Sequence, residues 1–241
     1  INMYSVQTDA LHFILFGAMP YILLSVCVVG AIWRYTSNRY SWSSQSSQFL
    51  ENSVLFYGSF PWHYGILIIL LAHIFALFFP RAILAWNGVP LRLYLLELSG
   101  LALGFLAFFG LLVFTYRRLT DVRVKAVTSG WDVLVLIVLL IQVFTGLINA
   151  IFYRWGSNWY AASAVPWMWS IFTLQPDPTY VSGLRLITKV HIFNAMIFIA
   201  LIPFTRLAHF IVIRPYAYLW RPYQVVRWYM REAPENIVQY K

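Results

Sequence analysis

Five long apolar stretches, separated by polar connections, constrain the fold of this chain most strongly. A helix needs about 20 apolar residues to cross the hydrocarbon core of a bilayer. The stretches are Leu11 to Trp33, Trp62 to Phe79, Leu93 to Tyr116, Val133 to Tyr153 and Leu186 to Ile213. Because they are continuous and do not alternate every second residue, they favour spanning helices over barrel strands. The sequence predicts an all-α polytopic membrane protein with five transmembrane helices and a single domain over residues 1–241.

The distribution of charge predicts the orientation of these helices. The chain is 61% apolar and 10% charged, with a net charge of +9. Most Lys and Arg residues lie in the first and third connections and in the tail, and five alternating helices place all three on one side. The positive-inside rule then predicts an outer N-terminus and a cytoplasmic C-terminus in the inner (cytoplasmic) membrane. Topology explains the basic excess, so no nucleic-acid partner is indicated, and the tail from 214 to 241 is expected to dock soluble subunits.

Four of the five histidines lie in or at the ends of the predicted spans. An ionisable ring inside a membrane helix is costly and indicates a function. On ideal helices His63 and His73 are about 15 Å apart in height, and His191 and His209 about 27 Å, so neither pair can share one metal. Each ring therefore needs a partner on another helix. Antiparallel order pairs His63 with His209 near the cytoplasm and His73 with His191 toward the outer surface.

Two imidazoles facing each other across a gap are typical of the axial ligands of a haem iron. With both axial positions filled, such a site passes electrons and leaves no position for oxygen chemistry. The single cysteine, Cys27, lies inside the first span, and the chain contains no Cys-x-x-Cys-His motif, which excludes covalently attached haem. The histidines therefore predict two haems b. Hydrogen bonding between helices or a proton relay is the alternative, and zinc is disfavoured because it would need further ligands nearby.

Residues near the histidines have expected roles in holding the macrocycles. Small residues such as Gly65 would let a flat ring approach the backbone. Pro203 is expected to kink the fifth helix between its two histidines. Arg206 and Trp62 are placed to meet haem propionates at the cytoplasmic edge, with a snorkelling interface cation as the alternative for Arg206.

Four stretches of the sequence resemble the gamma subunit of respiratory nitrate reductase, the dihaem cytochrome b that anchors that complex. They are Arg34 to Leu50, His63 to Ala76, Arg117 to Leu147 and His191 to Arg231. The histidine spacings follow the same family pattern, and the resemblance implies the same four ligands and the same cross-pairing.

The resemblance also implies a direction of electron flow. Quinol, either menaquinol or ubiquinol, would be oxidised near the outer face. Electrons would pass inward through two haems b to an iron–sulfur subunit and a molybdopterin catalytic subunit. The chain itself would not reduce nitrate.

Two residues at the start of the third helix are candidates for the quinol site. The family has an outward-facing Lys there that is linked to quinol binding, and this sequence has Arg92, which keeps the charge but changes the donor geometry. Quinol oxidation also needs a proton acceptor, and Glu97 is the candidate by position. A structural contact between Arg92 and Glu97 is the alternative.

Two rival functions stay open. The same anchor could serve a nitrite-oxidising complex or a complex of the heterodisulfide or sulfite type. From another class, the chain could be a haem-free membrane transporter.

Overall fold

The structure, a computed structural model, describes residues 10–38 and 50–209. Five of its helices are long and apolar enough to cross a membrane. They are α1 (Ala10–Ser37), α2 (Ser53–Phe78), α3 (Pro90–Thr120), α4 (Gly130–Phe152) and α5 (Leu186–Phe204). The predicted all-α, five-helix membrane fold is confirmed, whereas the orientation of the termini stays a prediction. The tail from 214 to 241 lies outside the described residues.

The packing order of the helices separates the two that carry the histidines. α2 packs on α3, α3 on α4, α4 on α5, and α5 on α1, and the contact between α2 and α3 is the most extensive of these. Within the described residues, α2 and α5 are not among the pairs in extensive contact. The two helices that carry His63, His73 and His191 therefore do not pack extensively on each other.

Glycines allow the close approach of α2 to α3. A Cβ atom on Gly65 would lie 2.8 Å from the backbone nitrogen of Ala107, and one on Gly110 would lie 2.6 Å from that of Trp62. The expectation that Gly65 opens space for a macrocycle is therefore wrong, because this glycine faces α3.

α2 begins at Ser53, earlier than the apolar run predicted, and Pro61 lies inside it. The carboxylate of Glu51 accepts hydrogen bonds from the backbone N–H groups of Val54 and Leu55 at 2.7 and 3.1 Å. These are donors that a helix start leaves without partners inside the helix. Glu51 thus caps the first turn of α2, and hydropathy alone does not reveal this start.

α5 breaks near its end, where Pro203 was expected to kink it. The α-helix ends at Leu201, a 3₁₀ turn covers Ile202–Phe204, and Thr205 is fully extended. The proline ring removes one backbone donor and clashes with the carbonyl group of the preceding turn. His209 therefore does not continue the helix of His191. The height difference of about 27 Å calculated for an ideal helix does not apply to these two residues.

The side chain of Arg34, from the end of α1, compensates for this break. Its Nη1 atom donates to the carbonyl oxygens of Pro203 and Thr205 at 2.6 and 2.8 Å. Both are carbonyls at which regular α-helical hydrogen bonding has ended. The end of α1 thereby fixes the path of the chain into His209.

Ion pairs join the helix ends on one side of the bundle, which we call the basic end. They are Arg117 with Glu51, Arg118 with Asp132 and Arg206 with Asp132, at 2.6, 3.6 and 2.7 Å. The other side, the opposite end, carries the short helices Pro80–Asn87, Gly156–Trp159, Val165–Phe172 and Thr179–Ser182. The five helices thus run alternately up and down between these two ends.

Candidate functional site

The four intramembrane histidines lie at two levels of the bundle. His63 is in the first half of α2 and His209 follows the break in α5, so both are toward the basic end. His73 is in the second half of α2, and His191 is in the first turns of α5, so both lie toward the opposite end. His73 and His191 are close enough to interact electrostatically. This arrangement is compatible with the cross-pairing, which stays a prediction.

Three of the four rings are held by their own backbone. The Nδ1 atoms of His63, His73 and His209 lie 2.8, 2.8 and 2.7 Å from the carbonyl oxygens of Ser59, Ile69 and Arg206. A carbonyl only accepts, so Nδ1 carries the proton and Nε2 keeps its lone pair. Metal-bound histidines are typically held this way, with the second ring nitrogen donating to a carbonyl.

The ring of His191 is held from a neighbouring helix instead. Thr145 Oγ1, on α4, lies 3.0 Å from its Nδ1 atom. The Gln142 amide also lies against the ring, and Asn194 donates to Oε1 of Gln142 at 2.7 Å. Sequence reasoning missed these three residues. Their signal was available, because each is a polar side chain inside an apolar span.

Tyr160 contacts the ring of His73 from the connection after α4. The two ring centroids are 4.9 Å apart at 73°, and the phenol donates to the carbonyl oxygen of His73 at 3.2 Å. Burial raises the pKa of Tyr160 to about 12, so the phenol stays protonated. The connection at the opposite end thus helps to position a candidate ligand.

The two predicted propionate partners are engaged elsewhere in the bundle. Arg206 is ion-paired with Asp132 and donates to the carbonyl oxygen of Val127 at 3.2 Å. Trp62 is buried in the apolar core between α2, α3 and α4, beside Ala107 and Leu111. These positions give their propionate roles no support, and those roles stay predictions.

The candidate quinol residues both lie toward the opposite end but do not contact each other as an ion pair within the described chain. The guanidinium of Arg92 is 5.2 Å from the ring centroid of Trp86. Oε1 of Glu97 accepts from the backbone N–H and hydroxyl of Ser157 at 2.9 and 2.6 Å. The alternative of a structural Arg92–Glu97 contact is therefore wrong.

The histidine nitrogens fit a group that binds one imidazole on each of its two faces. The described residues contain no cluster of three or more His, Cys, Asp or Glu side chains able to hold a metal ion. What they do contain is imidazoles at two levels, on α2, on α5 and on the turn after α5, three of them with Nε2 left for a ligand. Axial ligation of haem needs two such nitrogens per iron, so the residues present fit two haems.

The fold and the histidines define a class of protein, a multi-pass helical membrane protein with histidines at two levels of the bundle, two of them on α2, one on α5 and one just after α5. The family model described as nitrate reductase gamma subunit matches residues 12–229. The chain is 34% identical over 218 residues to the nitrate reductase gamma chain of Bacillus subtilis (strain 168), covering 89% of this chain and 97% of that one. It is 32% identical over 222 residues to the respiratory nitrate reductase 1 gamma chain of Escherichia coli (strain K12), covering 90% and 97%. The chain therefore belongs to the nitrate reductase gamma subunit family, which confirms the resemblance found in the sequence.

Proposed function

We propose that this chain is the membrane-anchoring dihaem cytochrome b subunit of a nitrate reductase-type molybdoenzyme. It oxidises quinol near the outer membrane face and passes electrons inward to an iron–sulfur subunit, which delivers them to the molybdopterin subunit. The observation that carries the proposal is the set of Nδ1 hydrogen bonds to backbone carbonyls, which leaves Nε2 of His63, His73 and His209 available as a ligand. Membership of the gamma subunit family supports the rest.

The four histidines would hold two haems b, His63 with His209 and His73 with His191. A haem held by two imidazoles would supply a one-electron carrier that leaves no position for substrate. Each imidazole is held in one tautomer by its Nδ1 partner, so Nε2 would bind without reorganisation of the ring.

Arg92 and Glu97 form the quinol site at the opposite end. The exposed Arg92 guanidinium presents donors that suit a quinol oxygen, and Glu97 is half-buried. Ser157 holds the Oε1 atom of Glu97 by two hydrogen bonds, which orients the carboxylate. Oε2 then takes the proton that quinol must release when it is oxidised.

The basic end faces the cytoplasm in this proposal, because its arginines satisfy the positive-inside rule. The soluble subunits dock there, with the tail from 214 to 241 available to them. His63 and His209 lie at this end, so electrons leave the membrane subunit beside its partner. Protons are released on the other side, and the turnover is electrogenic.

A redox titration of the visible spectrum, with and without a quinol analogue, tests this function. We expect two haem transitions, and the analogue should shift the one that is lost in His73 or His191 variants. Arg92→Ala should weaken binding of the analogue at least tenfold, which corresponds to about 1.4 kcal/mol. Both haem spectra should stay unchanged in this variant. Arg185→Ala is the matched control, since its guanidinium also lies over an aromatic ring, 3.9 Å from the centroid of Tyr153. An analogue that shifts neither transition would contradict the quinol role.

The terminal reaction is tested in the whole complex with the haems reduced by quinol. Nitrate should reoxidise them if the partner is a nitrate reductase. Reduction of oxidised haems by nitrite would indicate a nitrite-oxidising complex, and reoxidation by sulfite or a heterodisulfide but not by nitrate would indicate that class.

A further inference from the structure

His191 differs from the other three histidines in how its ring is held. His63, His73 and His209 each donate from Nδ1 to a carbonyl of the preceding turn of their own chain segment. The Nδ1 atom of His191 instead lies 3.0 Å from Oγ1 of Thr145 on α4. The orientation of this one ring therefore depends on the packing of α4 against α5.

The hydroxyl of Thr145 fixes which nitrogen of His191 carries the proton. Oγ1 lies 2.7 Å from the carbonyl oxygen of Ile141 and 3.1 Å from that of Gln142. Carbonyls only accept, so the hydroxyl proton points to them and the oxygen presents a lone pair to the imidazole. Nδ1 of His191 must then be the donor, which leaves Nε2 unprotonated. Thr145 is only 4% exposed, so water does not compete for this bond.

The backbone of α4 also packs closely against the ring of His191. A Cβ atom on Gly146 would lie 3.1 Å from Cε1 of His191, which is shorter than most contacts of real Cβ atoms. The amide nitrogen of Gln142 is 3.4 Å from Nδ1 and 3.1 Å from Nε2. An atom almost equidistant from both ring nitrogens cannot lie along the lone pair of either, so Gln142 rests against the ring and does not occupy the lone pair of Nε2.

We propose that Thr145 is the positioning residue for His191, setting its tautomer and ring plane and lowering the midpoint potential of the haem that His191 ligates. This inference rests on the proposed ligand role of His191. A hydrogen bond accepted from Nδ1–H makes the imidazole a stronger donor to the metal. A stronger donor stabilises ferric over ferrous iron, so loss of the hydroxyl should raise the potential.

The experiment compares three variants of the full chain with the wild type. Thr145→Val keeps the shape and removes the hydroxyl, and Thr145→Ser restores a hydroxyl. Thr115→Val is the matched control, because Thr115 makes the same bond to the carbonyl of its preceding turn, Oγ1 to Leu111 at 2.8 Å, but from α3. Each protein is titrated by its visible spectrum and examined by electron paramagnetic resonance of the low-spin ferric haems.

We expect Thr145→Val to raise the potential and shift the ferric signal of one haem only, the haem that His73 and His191 variants lack. Thr145→Ser should stay close to the wild type and Thr115→Val should match it. Loss of that haem in Thr145→Val but not in Thr145→Ser would also support the inference. Equal behaviour of Thr145→Val and Thr115→Val would overturn it. A wild-type protein without haem would instead overturn the proposed function, so the two failures are distinguishable.

Discussion

The Nε atom of Arg206 lies 2.7 Å from Oδ1 of Asp132, so the segment that leads into His209 is tied to the first turn of α4. Asp132 is buried and also completes a capping box with Ser129 at the start of α4. One carboxylate thus starts a helix and anchors the end of another.

Asp132→Asn should keep the helix cap but weaken the ion pairs with Arg206 at 2.7 Å and with Arg118 at 3.6 Å, of which the first is the shorter. We expect a loss of about 2 kcal/mol in unfolding free energy, the scale of a hydrogen bond between charged groups. Thermal unfolding of the purified protein measures it. Asp121→Asn is the control, because Asp121 also caps a helix but pairs at 3.4 Å with the exposed Arg123. That exposed pair should contribute less than about 1 kcal/mol, and equal effects of the two variants would argue against the tie.

The Glu51–Arg117 pair should make stability depend on pH. Burial by itself raises the pKa of Glu51, but hydrogen bonds from Val54, Arg117 and Leu55 and the charge of Arg117 outweigh it, so the pKa lies below its usual value. A carboxyl with a lowered folded-state pKa stabilises above its unfolded pKa, and this contribution is lost as pH falls through the folded value.

Glu51→Gln tests this dependence. At pH 7 it leaves the buried Arg117 without its carboxylate and should cost about 3 kcal/mol. The difference in melting temperature from the wild type should shrink as the pH is lowered below 4.5, the ordinary pKa of the group. A difference that stays constant between pH 7 and pH 3 would show that the effect of the substitution does not come from the ionised carboxylate of Glu51.

Arg34→Met should destabilise the segment from Pro203 to Thr205, where α5 breaks. The carbonyl oxygens of Pro203 and Thr205 lose the donor that Arg34 supplies. The Thr205 oxygen still accepts from the backbone N–H of Ala208 at 3.3 Å, so the loss at Pro203 should dominate, at about 1–3 kcal/mol for a buried group left unsatisfied. Because His209 follows the break, the haem assigned to His63 and His209 should be lost before the other one. Haem content after heating measures this, with the exposed Arg123→Met as control. Equal loss of both haems, or none beyond the control, would refute it.

The spans could be predicted because the bilayer alone determines which segments must be apolar, and the levels of the four histidines followed from chain order. The start of α2 at Ser53 could not be predicted, because its first turn depends on Glu51 and on the ion pair of Glu51 with a distant helix. The face of Gly65 was misassigned, since periodicity does not say which neighbour a helix face meets.

The support of His191 was also beyond the sequence reasoning. Thr145 was visible as a polar residue in an apolar span, but its contact joins α4 to α5 and depends on how those helices are rotated. A hydrogen bond within one helix, such as that of His73, follows from spacing, whereas one between helices follows only from packing.

The most direct test of the central claim is a pyridine haemochrome count on the purified chain and on four single variants, in which His63, His73, His191 or His209 is replaced by Leu. We predict about two haems b in the wild type, as two pairs of axial ligands require, and about one in each variant. Visible and paramagnetic spectra should show the same haem missing in the His63 and His209 variants, and the other missing in the His73 and His191 variants. A wild type without haem, or variants that keep both haems, would contradict the account.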